Sequence, residues 1–263
     1  MGCEQHLWSR RNSPSNVFSS ALGRWHFSEV IQMKVGIIGA GNIGGALTRR
    51  FRVAGHQVTV ANSRGPATLQ ALAEETGATA GTIADAVAGL EVVVVTIPMH
   101  NIPGLPGDLF ADAPADLVVI DTSNYYPRER DGKLDGIEDG GTESGWVEKH
   151  LSRPVIKAFN SIIADHLQNG GKPAGAVDRI ALAVAGDDPK FKATVMALID
   201  GIGFDTVDAG DIADSWRQQP GTPGYLKDYD VAGVRRALAG AINERKPEWR
   251  ATPDSPGSFD TPA

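Results

Sequence analysis

Lys34-Val35-Gly36-Ile37-Ile38-Gly39-Ala40-Gly41-Asn42-Ile43-Gly44 begins as a β-branched run, breaks on glycine and restarts as an amphipathic helix. A strand that enters a G-x-G-x-x-G turn and leaves it as a helix is the setting of a dinucleotide fingerprint. Gly39 suits the tight turn, Gly41 lets a pyrophosphate approach the main chain, and Gly44 permits close packing of helix on strand. Unpaired amides at the helix start, with Ala40, Asn42 and Ile43 around them, then face the negative charge. The competing reading is a tight glycine turn that binds nothing.

Outward from this unit, short β-branched runs alternate with helical stretches, the pattern of βαβ units and a parallel sheet. Strands are expected at Val35–Ile38, Gln57–Ala61, Val92–Thr96, Leu117–Asp121 and Val155–Ala158, with a weak one near Thr79. Helices are expected at Ile43–Ala54, Pro66–Thr76, Ile83–Ala88 and around Gly107–Ala111. The unbroken Val92-Val93-Val94-Val95 belongs in the sheet centre, where both faces are covered. Tyr125–Gly145 is rich in Gly, Asp and Glu and lacks periodicity, so it reads as a long surface loop. Ile180–Ala185, Lys190–Ile202 and Phe204–Val207 read strand, helix, strand and extend the sheet by a further unit. The expected fold class is α/β, a doubly wound parallel sheet of Rossmann type with a small C-terminal extension. Residues 33–230 form its nucleotide-binding domain. Residues 1–32 are read as a disordered extension, and 231–263 as a helix, Val231–Ile242, followed by a disordered Pro/Ser/Thr tail.

Composition narrows the partners. Apolar residues make up 41% and charged residues 22% of the chain, ordinary globular usage, and the net charge is −7. That balance offers no basic face for a nucleic acid or an anionic membrane. Cys3 is the single cysteine, which excludes an internal disulfide or a multi-cysteine metal site and fits the cytoplasm. No apolar run reaches the ~18–20 residues of a membrane span, and the first residues lack a secretory pattern. Met1-Gly2-Cys3 invites an acylation reading, but His6 stands where such a signal wants Ser or Thr. No metal is expected.

The end of the second strand selects the dinucleotide. An NAD site places a carboxylate there to accept from the ribose hydroxyls, whereas this chain has Asn62-Ser63-Arg64. A hydroxyl and a guanidinium bind a 2′-phosphate through charge-assisted hydrogen bonds, so NADP(H) is favoured. The alternative for Arg64 is a solvated surface arginine.

Beyond the fingerprint, the chain resembles the family of NADP oxidoreductases dependent on coenzyme F-420, an 8-hydroxy-5-deazaflavin, and the similar reductase domain of membrane metalloreductases. The segments that carry the likeness are Met33–Gly44, Ala61–Gly65, Thr96-Ile97-Pro98, Lys157–Ser161, Ala185–Asp188 and Asp208–Gly210. The resemblance implies a homodimer that passes a hydride between NADPH and a deazaflavin or flavin. It implies that Ser63 and Arg64 hold the 2′-phosphate. Thr96, Ile97 and Pro98, with Met99 and His100, flank the nicotinamide, and Ala158, Phe159 and Asn160 line the cleft where the second ring stacks. The acidic stretch Glu138–Glu143 departs from the family pattern and could narrow that cleft.

In a doubly wound sheet the ligand lies outside the carboxyl ends of the strands, which adds Ser123 and Asn124 to the lining. Transfer between two conjugated rings needs stacking and orientation more than a strong acid, so no obligatory catalytic side chain is expected. His100 is the one tentative exception, a polariser or proton donor, against a solvated loop histidine. Lys157 is read as an end-of-strand lysine in a surface contact. Trp216 and Tyr225 either cover the cleft or pack their own loop, and Asp188 caps the helix after it rather than binding metal. Two other functions remain: reduction of a small carbonyl or imine, which needs an acid such as His100 or Tyr125, and a non-catalytic NADP-sensing module.

Overall fold

In the computed structural model, which describes residues 32–244 and 257–263, six strands hydrogen-bond side by side. They are β1 (Lys34–Ile38), β2 (Gln57–Ala61), β3 (Thr79–Ala80), β4 (Val92–Val95), β5 (Val118–Asp121) and β6 (Ile156–Lys157). Their order is β3-β2-β1-β4-β5-β6, and every pairing is parallel. The sheet is the expected doubly wound α/β fold, with its switch point between β1 and β4. All four valines of β4 are fully buried, because helices cover both faces of the sheet.

Helix α1 (Asn42–Val53) follows β1 and buries Leu47 and Phe51 on the sheet, while Val53 at its end is exposed. A 3-10 turn, Pro66–Leu69, leads into α2 (Gln70–Thr76), so the single helix expected there is two pieces. Two further expectations fail. Residues 83–88 and 107–111 form successive turns rather than helices. The first segment runs into Gly89 at φ 68°, and the second is bracketed by Pro106 and Pro114, so neither has length enough to propagate a helix.

Tyr125–Gly145 is not a surface loop. A π-helical turn at Pro127–Asp131 and a series of tight turns lead into α3 (Glu143–Leu151), with Tyr125, Asp131, Ile137 and Glu143 buried. Hydrogen bonds replace periodic apolar packing here. The Tyr125 hydroxyl donates to Gly132 O at 3.0 Å and accepts from Leu134 N at 3.1 Å. Trp146 Nε1 donates to Asp135 O at 3.0 Å, and Thr142 caps α3.

After β6 the chain turns through α4 (Ala164–Asn169) into β7 (Ala181–Val184), α5 (Pro189–Gly201) and β8 (Asp205–Asp208). β7 and β8 form a separate two-stranded parallel sheet, not a continuation of the first. An antiparallel bridge, Lys157 to Ala185, joins the two sheets. β6 is two residues long and offers too short an edge for a further parallel ladder. Helix α6 (Val231–Ala239) covers the small sheet through Val231, Val234 and Leu238. Asp188 caps α5 as expected, accepting from Lys190 N and Phe191 N at 2.7 and 3.1 Å. At the C-terminus, Gly257 O accepts from Arg128 Nε at 2.9 Å, and Ala263 N donates to Arg128 O at 3.0 Å. The N-terminal extension through residue 31, and residues 245–256 of the tail, lie outside the described residues. Among the described residues, no helix is long and apolar enough to cross a membrane.

Candidate functional site

The three glycines of the β1–α1 turn do different work. Gly39 sits at φ 114°, and a Cβ there would lie 2.2 Å from Thr96 O. At Gly44 an added Cβ would lie 1.9 Å from Gly39 O, so a side chain would push α1 off the strand. Gly41 differs: a Cβ there would meet nothing within 4 Å. No internal contact requires glycine at position 41, and its bare Cα opens on a cleft instead. No side chain caps the start of α1, which leaves the first amides of the helix without an internal partner. Asn42 is exposed, while the half-buried Ile43 packs on the core. A backbone surface of this kind suits a diphosphate.

Along the carboxyl ends of β1, β2 and β4 runs a cleft of about 450 Å³. Gly39, Ala40 and Gly41 form its floor, Asn62, Ser63 and Arg64 one end, and Thr96, Ile97 and Pro98 the other. The sequence thus brings nine of its expected ligands to one cleft. Asn62 builds the turn rather than offering its side chain: Oδ1 accepts from Arg64 N at 2.9 Å and Nδ2 donates to Thr68 Oγ1 at 3.0 Å. Ser63 and Arg64 are presented to solvent by that turn. A cation and a hydroxyl in a cleft whose lining, among the described residues, holds no carboxylate match a phosphate better than a bare ribose diol.

The far side of the site is more intricately bonded than its sequence suggests. Ala158 is fully buried. Phe159, at φ 63°, turns its ring into the core, edge-on to Phe51 at 6.4 Å between centroids, and so cannot stack on a ligand. Asn160 is buried, with Nδ2 donating to Gln218 O at 2.7 Å and to Asn124 Oδ1 at 3.2 Å. Its carbonyl accepts from Asn124 Nδ2 at 2.8 Å. Asn160 therefore clasps the loops after β5 and β6 to the 3-10 segment Ile212–Gln218. Ser123 Oγ, Asn160 Oδ1 and Gln218 Oε1 are buried without a partner among the described residues.

Lys157 is not at the surface. Its side chain is fully buried, with Nζ donating to Ser123 O at 3.0 Å and pairing with Glu143 at 3.3 Å and Asp121 at 4.0 Å. Asp121 in turn accepts from Ser144 Oγ at 2.6 Å and Ser123 N at 2.9 Å. The acidic stretch at 138–143 thus supplies, through Glu143, the partner of a buried lysine. Tyr126 and Tyr225 join hydroxyl to hydroxyl, tying the loop after β5 to the C-terminal segment. Burial pushes both phenols above their ordinary range, so both stay neutral. Trp216 is half-buried, its ring under the Arg217 guanidinium at 4.5 Å.

His100 lies in a 3-10 segment, Met99–Gly104, directly after the cleft residue Pro98. Its Nδ1 is 3.0 Å from Oδ1 of Asp131, whose side chain is fully buried. Asp131 was not anticipated, since it falls in no motif or periodic run, and Glu143 was noted only as the end of an acidic stretch.

Comparison with known proteins agrees with this geometry. Residues 34–125 match the family model described as NADP oxidoreductase, coenzyme F420-dependent. Over residues 34–125 the chain is similar to that family. That span holds β1 to β5 and the whole cleft floor, and it is the family whose likeness the sequence motifs carry. Protein YjhV of Escherichia coli K12 is 43% identical over 99 residues, 38% of this chain, and the chain spans 63% of that relative's length. The crystal structure of the hypothetical protein SMa0349 of Sinorhizobium meliloti superposes with a TM-score of 0.64 at 28% identity, covering 77% of this chain and 97% of that one. A structure from Arthrobacter sp. FB24, provisionally named an F420-dependent NADP reductase, superposes at 0.57 with 23% identity, covering 70% and 87%. At that identity the likeness is one of fold.

Proposed function

We propose that this chain is an NADP(H)-dependent oxidoreductase that transfers a hydride between NADPH and a deazaflavin (coenzyme F-420) or flavin-like acceptor. The observation that carries the proposal is the open space at Gly41, set between the uncapped α1 terminus and the Ser63-Arg64 corner. A glycine with no internal steric need, facing a cleft that ends in a free guanidinium, supports a phosphorylated dinucleotide. In this reading the α1 amides hold the diphosphate, Ser63 and Arg64 the 2′-phosphate, and Thr96, Ile97 and Pro98 border the redox end. The bound cofactor supplies the hydride. The protein's share is to orient two partners and exclude water, through Pro98 on one side and the Asn124–Asn160 clasp on the other. The family resemblance extends the proposal to a cytoplasmic homodimer.

A specific observation also favours the second enzymatic reading, reduction of a small carbonyl or imine. His100 has an acidic partner that orients it, as a general acid requires. Tyr125, the other acid considered, is buried and its hydroxyl is committed to Gly132 and Leu134. A steady-state screen of NADPH oxidation against F-420, FMN, 1-pyrroline and ferric citrate tests both. Turnover with F-420 or FMN supports the proposal, and turnover with 1-pyrroline alone moves it to the second reading. NADPH binding without oxidation by any acceptor would leave a sensing module.

A further inference from the structure

His100 lies in the 3-10 segment Met99–Gly104 after β4, two strands from the Arg64 corner and between the cleft-lining residues Pro98 and Asn101. The next residue, Asn101, lines the cleft itself. Asp131 holds the ring. Its Oδ1 faces His100 Nδ1 at 3.0 Å and accepts from Arg130 Nε at 3.0 Å. Its Oδ2 accepts from Tyr126 N at 2.8 Å and Arg130 Nη2 at 2.9 Å. With Tyr126 N and the Arg130 guanidinium already donating to it, this carboxylate acts as an acceptor toward the ring as well, which places a hydrogen on Nδ1. Nε2 is left as the exchangeable site, and the side chain is 38% exposed. An oriented histidine with a buried carboxylate behind it and a free second nitrogen is the arrangement of a proton carrier.

We infer that His100, oriented by Asp131, gives the acceptor its proton, and that the acceptor is therefore an organic molecule protonated on reduction rather than a ferric chelate. This rests on the oxidoreductase reading above and names the acceptor class within it. Reduction adds a hydride, supplied by NADPH, to the electrophilic atom of the acceptor, a carbon in a deazaflavin, carbonyl or imine and N5 in a flavin, and moves an electron pair onto the conjugated heteroatom. That heteroatom takes the proton from Nε2 of the imidazolium. The Nε2–H bond breaks, and the ring is left neutral with its remaining hydrogen on Nδ1, bonded to Asp131. Water restores the Nε2 proton between turnovers. One-electron reduction of a ferric chelate takes up no proton at the metal and would leave the dyad without a task.

Two measurements on the full chain test this. In ¹⁵N-histidine spectra, His100, assigned by the signal lost in His100→Gln, should carry its neutral-form hydrogen on Nδ1, and Asp131→Asn should shift that tautomer balance. With the panel acceptor that the wild type reduces best, His100→Gln should lower kcat by at least ~100-fold. NADPH affinity by calorimetry and the thermal midpoint should not change. Asp131→Asn, which leaves the imidazole itself in place, should lose less and leave KM for NADPH unaltered. A hydrogen on Nε2, a kcat for His100→Gln within ~10-fold of wild type, or turnover confined to ferric citrate would overturn the inference. A wild type that reduces none of the panel fails the oxidoreductase reading instead, a distinct result.

Discussion

Replacing Lys157 by methionine keeps most of the side-chain volume and deletes a charge that no solvent reaches. The ammonium lies 3.3 Å from Glu143 and 4.0 Å from Asp121, and the three side chains are at most 5% exposed. Asp121 keeps Ser144 Oγ and Ser123 N as donors, but Glu143 loses its cation and Ser123 O its donor. Removing one member of a buried ion pair costs about 3–5 kcal/mol. At about 2–4 °C per kcal/mol for a domain this size, Lys157→Met should lower Tm by roughly 6–20 °C. Thermal and urea unfolding of the single and double variants are the assay. Lys157→Met/Glu143→Gln removes the stranded charge, and should regain about 1–3 kcal/mol over the single variant. A Lys157→Met protein within about 1 kcal/mol of wild type, or a double variant no more stable than the single, would refute the view that this lysine neutralises a buried carboxylate.

The fingerprint glycines should separate binding from folding: Gly41→Val should leave the urea midpoint near wild type while weakening NADPH binding by more than ~10-fold. Gly44→Ala, whose Cβ would meet Gly39 O at 1.9 Å, should cost about 1–3 kcal/mol of stability. Equal stability of the two variants would contradict the turn described. His56 is buried, with Nδ1 accepting from Met33 N at 3.2 Å, and burial holds the imidazole below its ordinary 6.5. The unfolded chain then takes up a proton that the folded chain refuses. His56 thus contributes fully above about pH 6.5, and the contribution falls toward the lowered folded value by up to about 1.4 kcal/mol per pH unit. His56→Gln should flatten the acid side of the stability curve, and an unchanged slope would assign it to other groups.

The nucleotide half was legible because its determinants are local. A strand, three glycines and a helix stand in sequence, and Asn62-Ser63-Arg64 follows the second strand directly, so period and spacing place them without tertiary knowledge. The four valines of β4 reveal their place in the sheet by lacking alternation. The acceptor half was not legible, since its determinants are contacts across long separations. Lys157 looks like a strand-end lysine until Glu143 and Asp121 close on it. His100 looks like a loop histidine until the turn at Pro127–Asp131 brings a carboxylate beneath it. Phe159 reads as a cleft residue until its positive φ sends the ring into the core. The segment at 125–145 defeated periodicity because hydrogen bonds to main-chain groups, not a repeating apolar stripe, fold it. The β7–β8 pair was recognised as strands, but its separation from the main sheet depends on how short β6 is, and strand ends are the least certain feature of a sequence.

The central claim is that the β1–α1 turn and the Ser63-Arg64 corner bind a phosphorylated dinucleotide. Isothermal calorimetry of NADPH and NADH against the wild type and Arg64→Ala tests it directly. The wild type should bind NADPH much more tightly than NADH. Arg64→Ala should weaken NADPH by about 1.5–3 kcal/mol, the range for a hydrogen bond to a charged group, and leave NADH nearly unchanged. No heat with either coenzyme at millimolar concentration, or an equal loss for both in the variant, would contradict it.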